Sequence, residues 1–321
     1  MTQSGPKLAS STSRPLRLSL REDLQVQTQS YLGRQYWIVK DPIALKYYRF
    51  EEEEYLLLSW ADGQTSLEQM QRRFESRFAP QKITVSEIQH FVGQMYRTGL
   101  LVSHAWGQGH QLYRRSVESQ RQKRRAAFSN FLSIRFRGVD PDRLLGGLNA
   151  GFGWLFCGPA VVAGILLMLS ALLLLGSQFD IVQHRLPRFQ QFFGSGNWFW
   201  LALTLSLTKV LHELGHGLAC RRLGGRCHEM GVMLLLFMPC LYCNVTDSWM
   251  IPSKWKRAAR GAAGMYVELV LASICTFLWW FSVPGLLNGI CLNVMFVCSV
   301  STLLFNANPL MRYDGYYILS D

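Results

Sequence analysis

Two imidazoles and a carboxylate stand together in Lys209-Val210-Leu211-His212-Glu213-Leu214-Gly215-His216. Four residues of α-helix advance about 6 Å and turn about 400°, so His212 and His216 share one face, one turn apart. Their ring nitrogens can then meet one divalent ion, and Zn2+ accepts imidazole nitrogen at about 2.0–2.1 Å. Glu213 lies about 100° round the helix, too far to bind the same ion but placed to take a proton from a water on it. This is the chemistry of metal-assisted hydrolysis. The same pattern occurs by chance on soluble surface helices. Here it sits inside an otherwise apolar stretch, where two His and a Glu are costly unless they bind or pair.

The elements that must position these groups are apolar. The chain has 321 residues, 49% hydrophobic and 17% charged. Residues 1–143 hold 22 of the 33 Lys and Arg, and charge-free runs fill the rest: Leu144 to Phe179, Phe189 to Thr208, Met230 to Thr246 and Leu269 to Met311. Runs of about 18 or more apolar residues are membrane-span candidates. The expected fold class is mainly α: a polytopic helical membrane core over 144–321, preceded by a small α/β unit. Four spans are expected, near Trp154–Leu175, Trp198–Cys220, Ala258–Phe281 and Leu286–Phe305. Met230 to Thr246 is apolar but short and interrupted by Pro239, which suits a re-entrant or interfacial segment. Basic residues precede the first span and return after the second (Arg221, Arg222, Arg226, Lys254, Lys256, Arg257, Arg260), which places the N-terminus in the cytosol. No apolar leader opens the chain, and Cys157, Cys275, Cys291 and Cys298 lie within apolar runs as small hydrophobes, not as a secreted disulfide framework. The expected location is the cytoplasmic membrane, crossed several times.

Catalytic zinc keeps three protein ligands and one open position. His228, Asp247, Glu268 and Asp314 can each supply the third. His228 and Asp247 flank the interrupted segment near the cytosolic boundary, and Glu268 lies within the third span. Asp314 follows the fourth span in Asn306-Ala307-Asn308-Pro309-Leu310-Met311-Arg312-Tyr313-Asp314-Gly315, irregular backbone of a kind tolerated at membrane depth where it lines a cavity. Physical grounds favour Asp314 narrowly.

Upstream, residues 1–16 read as a disordered tail, and 17–104 as a winged-helix-like unit. Tyr36–Val39 and Lys46–Phe50 are expected strands; Glu51–Trp60, Ser66–Phe78 and Thr84–Thr98 are expected helices; Gly99–Val102 is an expected wing strand. Thr84 and Glu87 form a capping-box pattern. The third helix carries one Arg and one Glu, so peptide or partner binding is expected and nucleic acid is not. Residues 105–143 form a basic linker whose tract at 114–137 sets eight Lys and Arg against Glu118, as a topology signal and an anchor on anionic lipid.

His212-Glu213-Leu214-Gly215-His216, followed two spans later by Asn306-x-x-Pro309-x-x-x-x-Asp314-Gly315, resembles the site-2 protease family of intramembrane zinc metallopeptidases. Gly224-Gly225, Pro239 and Asp247-Ser248-Trp249 resemble its bacterial peptide zinc metalloprotease subgroup. The resemblance implies that Asp314 is the third zinc ligand, and that Asn306 positions the substrate backbone or the oxyanion. Residues 17–104 are similar to the peptide-recognition domain of the pyrroloquinoline quinone pathway, which implies a bound peptide. The subgroup continues for further spans where this sequence stops, seven residues after Asp314, as a fragment would.

The expected function is therefore an intramembrane zinc metalloendopeptidase acting on a membrane-associated or secreted peptide or protein. His212, His216 and Asp314 would hold Zn2+, Glu213 would serve as base and Asn306 would assist. The competing reading is a non-catalytic membrane scaffold, or a secretion or peptide-maturation component, that keeps a metal site; the acid beside the ligands argues against it. Lys209 is expected to pair within the bundle rather than with Glu213. Gly261-Ala262-Ala263-Gly264 reads as a close helix contact. Glu268 reads as an internal hydrogen-bond partner, and Cys240 with Cys243 has metal-like spacing.

Overall fold

The computed structural model describes residues 12–31, 33–103, 133–136, 138–235, 238–244 and 246–320. The tail before residue 12 and most of the basic tract at 114–137 lie outside the described residues. The chain divides into two compact units, Met1–Phe128 and Ser129–Asp321.

In the first unit, β2 (Gln25–Tyr31), β3 (Arg34–Asp41) and β4 (Lys46–Phe50) form an antiparallel meander after the short β1 (Leu18–Leu20). The register sets Val26 opposite Val39 and Trp37 opposite Phe50. Helices α1 (Glu52–Ser59), α2 (Leu67–Arg77) and α3 (Val85–Thr98) follow, then β5 (Leu101–Ser103), which pairs antiparallel with β1. Thr84 and Glu87 form the expected capping box, each side chain bonded to the other's backbone N–H. Ser66 and Gln69 form another. Apolar side chains from both sides of this unit (Val39, Phe50, Leu58, Met70, Ile88 and Leu100) meet in one core. Strand β2 escaped the sequence reading because its residues, Gln-Val-Gln-Thr-Gln-Ser-Tyr, carry almost no apolar alternation.

One ion pair closes this unit. Arg21 donates from Nη1 and Nη2 to the two Asp41 oxygens at 2.9 and 3.1 Å, and the Ile43 and Ala44 N–H groups donate to Oδ1. Burial alone would raise the Asp41 carboxyl, but these donors hold it below its ordinary value. A depressed folded pKa means that the stabilisation is complete well above the unfolded pKa of about 3.9 and is lost as pH falls through the folded one. Arg21→Ala should cost on the order of 3 kcal/mol at neutral pH. That difference from wild type should shrink steadily below about pH 4. Limited proteolysis of the full chain in urea reads both; a difference undiminished at pH 3 would discard the pair as the cause.

The second unit is mainly helical. It runs through β6 (Ser133–Arg135), α4 (Asp142–Phe152), a 3-10 turn at Gly153–Phe156, α5 (Gly158–Ser177), α6 (Phe179–Arg185), α7 (Phe189–Phe192) and α8 (Ser195–Arg222). Then come β7 (Glu229–Leu235), β8 (Met238–Asn244), a 3-10 turn at Thr246–Met250, α9 (Lys254–Phe281), α10 (Leu286–Val300) and α11 (Asp314–Ser320). Strands β6, β7 and β8 form an antiparallel sheet in that order. The described parts of the apolar run at 230–246 thus include most of two paired antiparallel strands, and Pro239 falls in β8, the outer one, where a missing N–H disturbs least.

Among the described residues, three helices are long and apolar enough to cross a membrane by length and composition: Gly158–Ser177, Lys254–Phe281 and Leu286–Asn306. Helix α8 has 28 residues, but Lys209, His212, Glu213 and His216 keep it out of that group. Only 11% of the most apolar stretch of α5 is buried, against 50% of that of α9. Helix α9 is accordingly the central one, packed against α5, α8, α10 and α11.

Helix α8 is fixed along its length. Asn197 and Asn293 exchange amide hydrogen bonds at 2.9 Å, tying its start to α10. Lys209 pairs with Glu268 of α9 at 2.8 Å in its middle. In its last turn Arg221 pairs with Asp142 in the first turn of α4, cation and anion each at the helix end that favours it.

Candidate metal centre

His212 and His216 are buried on the side of α8 that faces α9, at 4% and 5% exposure. Asp314 opens α11, brought back to the same place by the turns at 307–313. His212 Nε2 lies 3.0 Å from Asp314 Oδ2, His216 Nε2 lies 3.2 Å from the same oxygen, and the two Nε2 atoms are 3.1 Å apart. Three ligands at about 2.0–2.1 Å around a tetrahedral ion stand roughly 3.3–3.4 Å from one another. The observed triangle is near that size. Among the described residues it is the one group of three or more metal-binding side chains that converges.

The backbone makes room for this cradle. A Cβ on Gly264 of α9 would come within 2.6 Å of Cε1 and Nε2 of His212 and of Nε2 of His216. Only a glycine lets α9 lie against both ligand nitrogens. Nearby, a Cβ on Gly315 would meet the Ala307 carbonyl oxygen at 2.6 Å, so the chain reversal that delivers Asp314 also depends on a missing side chain. The stretch read from sequence as a close helix contact is one: a Cβ on Gly261 would come 2.9 Å from Ile318 of α11.

The outward ring nitrogens are also engaged. His216 Nδ1 lies 3.0 Å from the Arg260 carbonyl oxygen, an acceptor only, so Nδ1 carries the proton and Nε2 keeps its lone pair for the centre. His212 Nδ1 lies 3.2 Å from Glu268 Oε1, with the same result. This donor set, two imidazole lone pairs and a carboxylate converging without a proton between them, is one that a divalent cation satisfies.

Of the other candidates for a third ligand, Glu268 sits behind His212 at Nδ1 and not at the converging atoms. His228 Nε2 and Asp247 Oδ1 lie 3.1 Å from one another, and Asp247 Oδ2 accepts from the Arg226 N–H, so both belong to a different cluster. Glu213 is half-buried, and among the described residues no hydrogen bond or ion pair engages its carboxylate. Asn306 is buried, and its Nδ2 donates to Glu268 Oε2 at 3.3 Å and lies 3.4 Å from His212 Nδ1. The amide thus joins the support behind His212. Lys209 pairs with Glu268, not with Glu213. The Cys243 thiol contacts Cys227, with Sγ atoms 3.0 Å apart.

No protein-family model matches the chain, and no solved structure matches it. A protein of Bacillus subtilis (strain 168) named "Putative peptide zinc metalloprotease protein YydH" is 26% identical over 129 residues. The match covers 40% of this chain and 49% of that relative, so the chain spans about half the length of the protein it resembles.

The sequence reading passed over Ser301 and Thr302, which are buried beside Glu268. The signal available was a cluster of hydroxyl and amide side chains, Ser301, Thr302 and Asn306, inside a charge-free run; polar groups at membrane depth face the bundle interior.

Proposed function

We propose that this chain is an intramembrane zinc metalloendopeptidase that hydrolyses a peptide bond of a membrane-associated or secreted peptide or protein. The observation that carries the reading is the closure of His212, His216 and Asp314 on one point of a largely apolar bundle, with Glu213, whose carboxylate no described residue engages, next in sequence to a ligand. The printed name of the Bacillus subtilis relative supports the same class.

His212 and His216 would hold the ion through Nε2 and Asp314 through Oδ2. Zinc so held supplies Lewis acidity, polarising a carbonyl and lowering the pKa of a coordinated water to about 7. Glu213 takes a proton on its carboxylate from the attacking water and returns it to the leaving amine. Asn306, through Glu268, keeps the His212 ring in place. The two imidazoles are buried, and the Asp314 side chain, 23% exposed, marks the open side. A helical substrate segment must unwind there, because its carbonyls are otherwise hydrogen-bonded.

In this reading α8 is the fourth span, the protein is a multi-pass component of the cytoplasmic membrane, and its N-terminus is cytosolic. The winged-helix-like unit at 17–104 recognises a peptide or partner, the tract at 114–137 rests on anionic lipid, and nucleic acid is not a ligand.

Metal analysis of the purified protein beside His212→Ala and Asp314→Ala tests the centre. One zinc per chain is expected in wild type and less than about a tenth of that in either variant. Full zinc in Asp314→Ala would break the ligand assignment. Zinc without turnover on any peptide that the N-terminal unit binds would favour the scaffold.

A further inference from the structure

Glu268 is 1% exposed, and its carboxylate is used from every side. Oε1 lies 3.2 Å from His212 Nδ1 and accepts from Lys209 Nζ at 2.8 Å. Oε2 accepts from Thr302 Oγ1 at 2.6 Å and from Asn306 Nδ2 at 3.3 Å. Ser301 Oγ receives a hydrogen bond from Lys209 and lies 3.5 Å from Oε1. These partners come from α8 and from the segment that ends α10. In that segment the helix widens, for the Ala307 N–H bonds the Thr302 carbonyl five residues back at 2.8 Å. Such turns concentrate at functional sites. This one turns Ser301, Thr302 and Asn306 towards Glu268 together.

A buried carboxylate needs such a shell, and the shell is more than Glu268 requires for charge balance alone. Lys209 supplies the countercharge, while the hydroxyl and amide donors fix where the two oxygens point. The oxygen facing His212 can only accept, so the imidazole must present Nδ1–H to it and Nε2 to the cradle. The Asn306 amide at 3.4 Å would ask the reverse of Nδ1. The ionised carboxylate is nearer and the stronger partner, and the amide has an acceptor in Oε2.

We propose that Glu268 is the positioning carboxylate of the metal centre. Held by Lys209, Ser301, Thr302 and Asn306, it fixes the tautomer and ring angle of His212 and strengthens Nε2 as a donor. The inference rests on the zinc reading of the cradle. It adds that metal affinity depends on a residue that never touches the ion. The two histidines are not equivalent in this respect: His216 leans on a backbone carbonyl, which no substitution removes, and His212 leans on a side chain.

The test is zinc affinity measured by chelator competition on the purified full chain, with wild type beside Glu268→Gln, Thr302→Val and Lys209→Met. Glu268→Gln should weaken zinc binding about 10- to 100-fold. Thr302→Val, which leaves the carboxylate but removes its closest hydroxyl donor, should weaken it several-fold and keeps the test decisive if the Gln variant does not fold. Cobalt substituted for zinc should show an altered absorption spectrum in Glu268→Gln, a change that a purely structural loss of stability would not produce. Wild-type affinity and spectrum in folded Glu268→Gln or Thr302→Val would overturn the proposal while leaving the zinc centre standing. Failure of wild type to bind zinc would instead overturn the functional reading itself, and this one with it.

Discussion

Glu213→Gln should keep one zinc per chain and lose peptide hydrolysis by about a hundredfold to ten-thousandfold, the range a positioned general base contributes. The substitution preserves shape and removes the ability to take a proton. The side chain is half-buried and, among the described residues, makes no hydrogen bond or ion pair, so its exchange for an amide breaks none of the described polar contacts. Lys209, one turn earlier, is engaged by Glu268 and Ser301 and is not free to replace it. Zinc content and turnover measured on the same preparation separate the outcomes. Undiminished cleavage would remove Glu213 from the mechanism. Loss of zinc would mean that the carboxylate helps build the cradle and does not act on water alone.

The second large effect is expected from a single methyl group. Gly264→Ala would put a carbon 2.6 Å from the two nitrogens that converge on the centre. The α9 backbone cannot retreat easily, because the same helix packs against α5, α8, α10 and α11. The imidazoles would have to swing away, losing both their convergence and their outer hydrogen bonds to Arg260 and Glu268. Zinc affinity should fall by at least a hundredfold, about 2.7 kcal/mol. Gly261→Ala is the control on the same helix. Its methyl would meet only the Ile318 side chain, at Cγ1 2.9 Å away, far from both ligand nitrogens, and that side chain can turn aside, so its loss should be no more than about tenfold. Chelator competition compares the two. Equal, small losses would mean that the glycine serves helix packing in general and not the cradle.

Much of the candidate centre was legible because it depends on local periodicity. His212 and His216 share a face by the geometry of any α-helix, and polar residues within an apolar run mark a place where they must be used. Asp314 was readable only as a favourite among four carboxylate and imidazole candidates, since nothing local says which of them a chain reversal brings back. The Thr84–Glu87 box was legible for the same reason as the histidines: both partners lie within one turn. What was not legible depends on contacts between distant segments. Lys209 and Glu268 are 59 residues apart, and the nearest acid in sequence, Glu213, was the wrong partner by position alone. The strand pair β7–β8 was hidden because a short apolar run has no period that separates a strand from a break in a span. Gly264 was recognised as small, but its purpose lies in which atoms stand opposite, and those belong to α8.

The wide turn at the end of α10 has a consequence for angular phase. On an unbroken α-helix, residues five apart point about 140° away from one another. Ser301 and Asn306 are five apart, yet their side chains reach within 3.5 Å. A helical wheel drawn through 286–306 would therefore assign one of them to the lipid. The extra residue accommodated there re-indexes the chain once, so that the upstream part of α10 keeps its own set of faces while the amide of Asn306 is dialled inward beside the metal cradle.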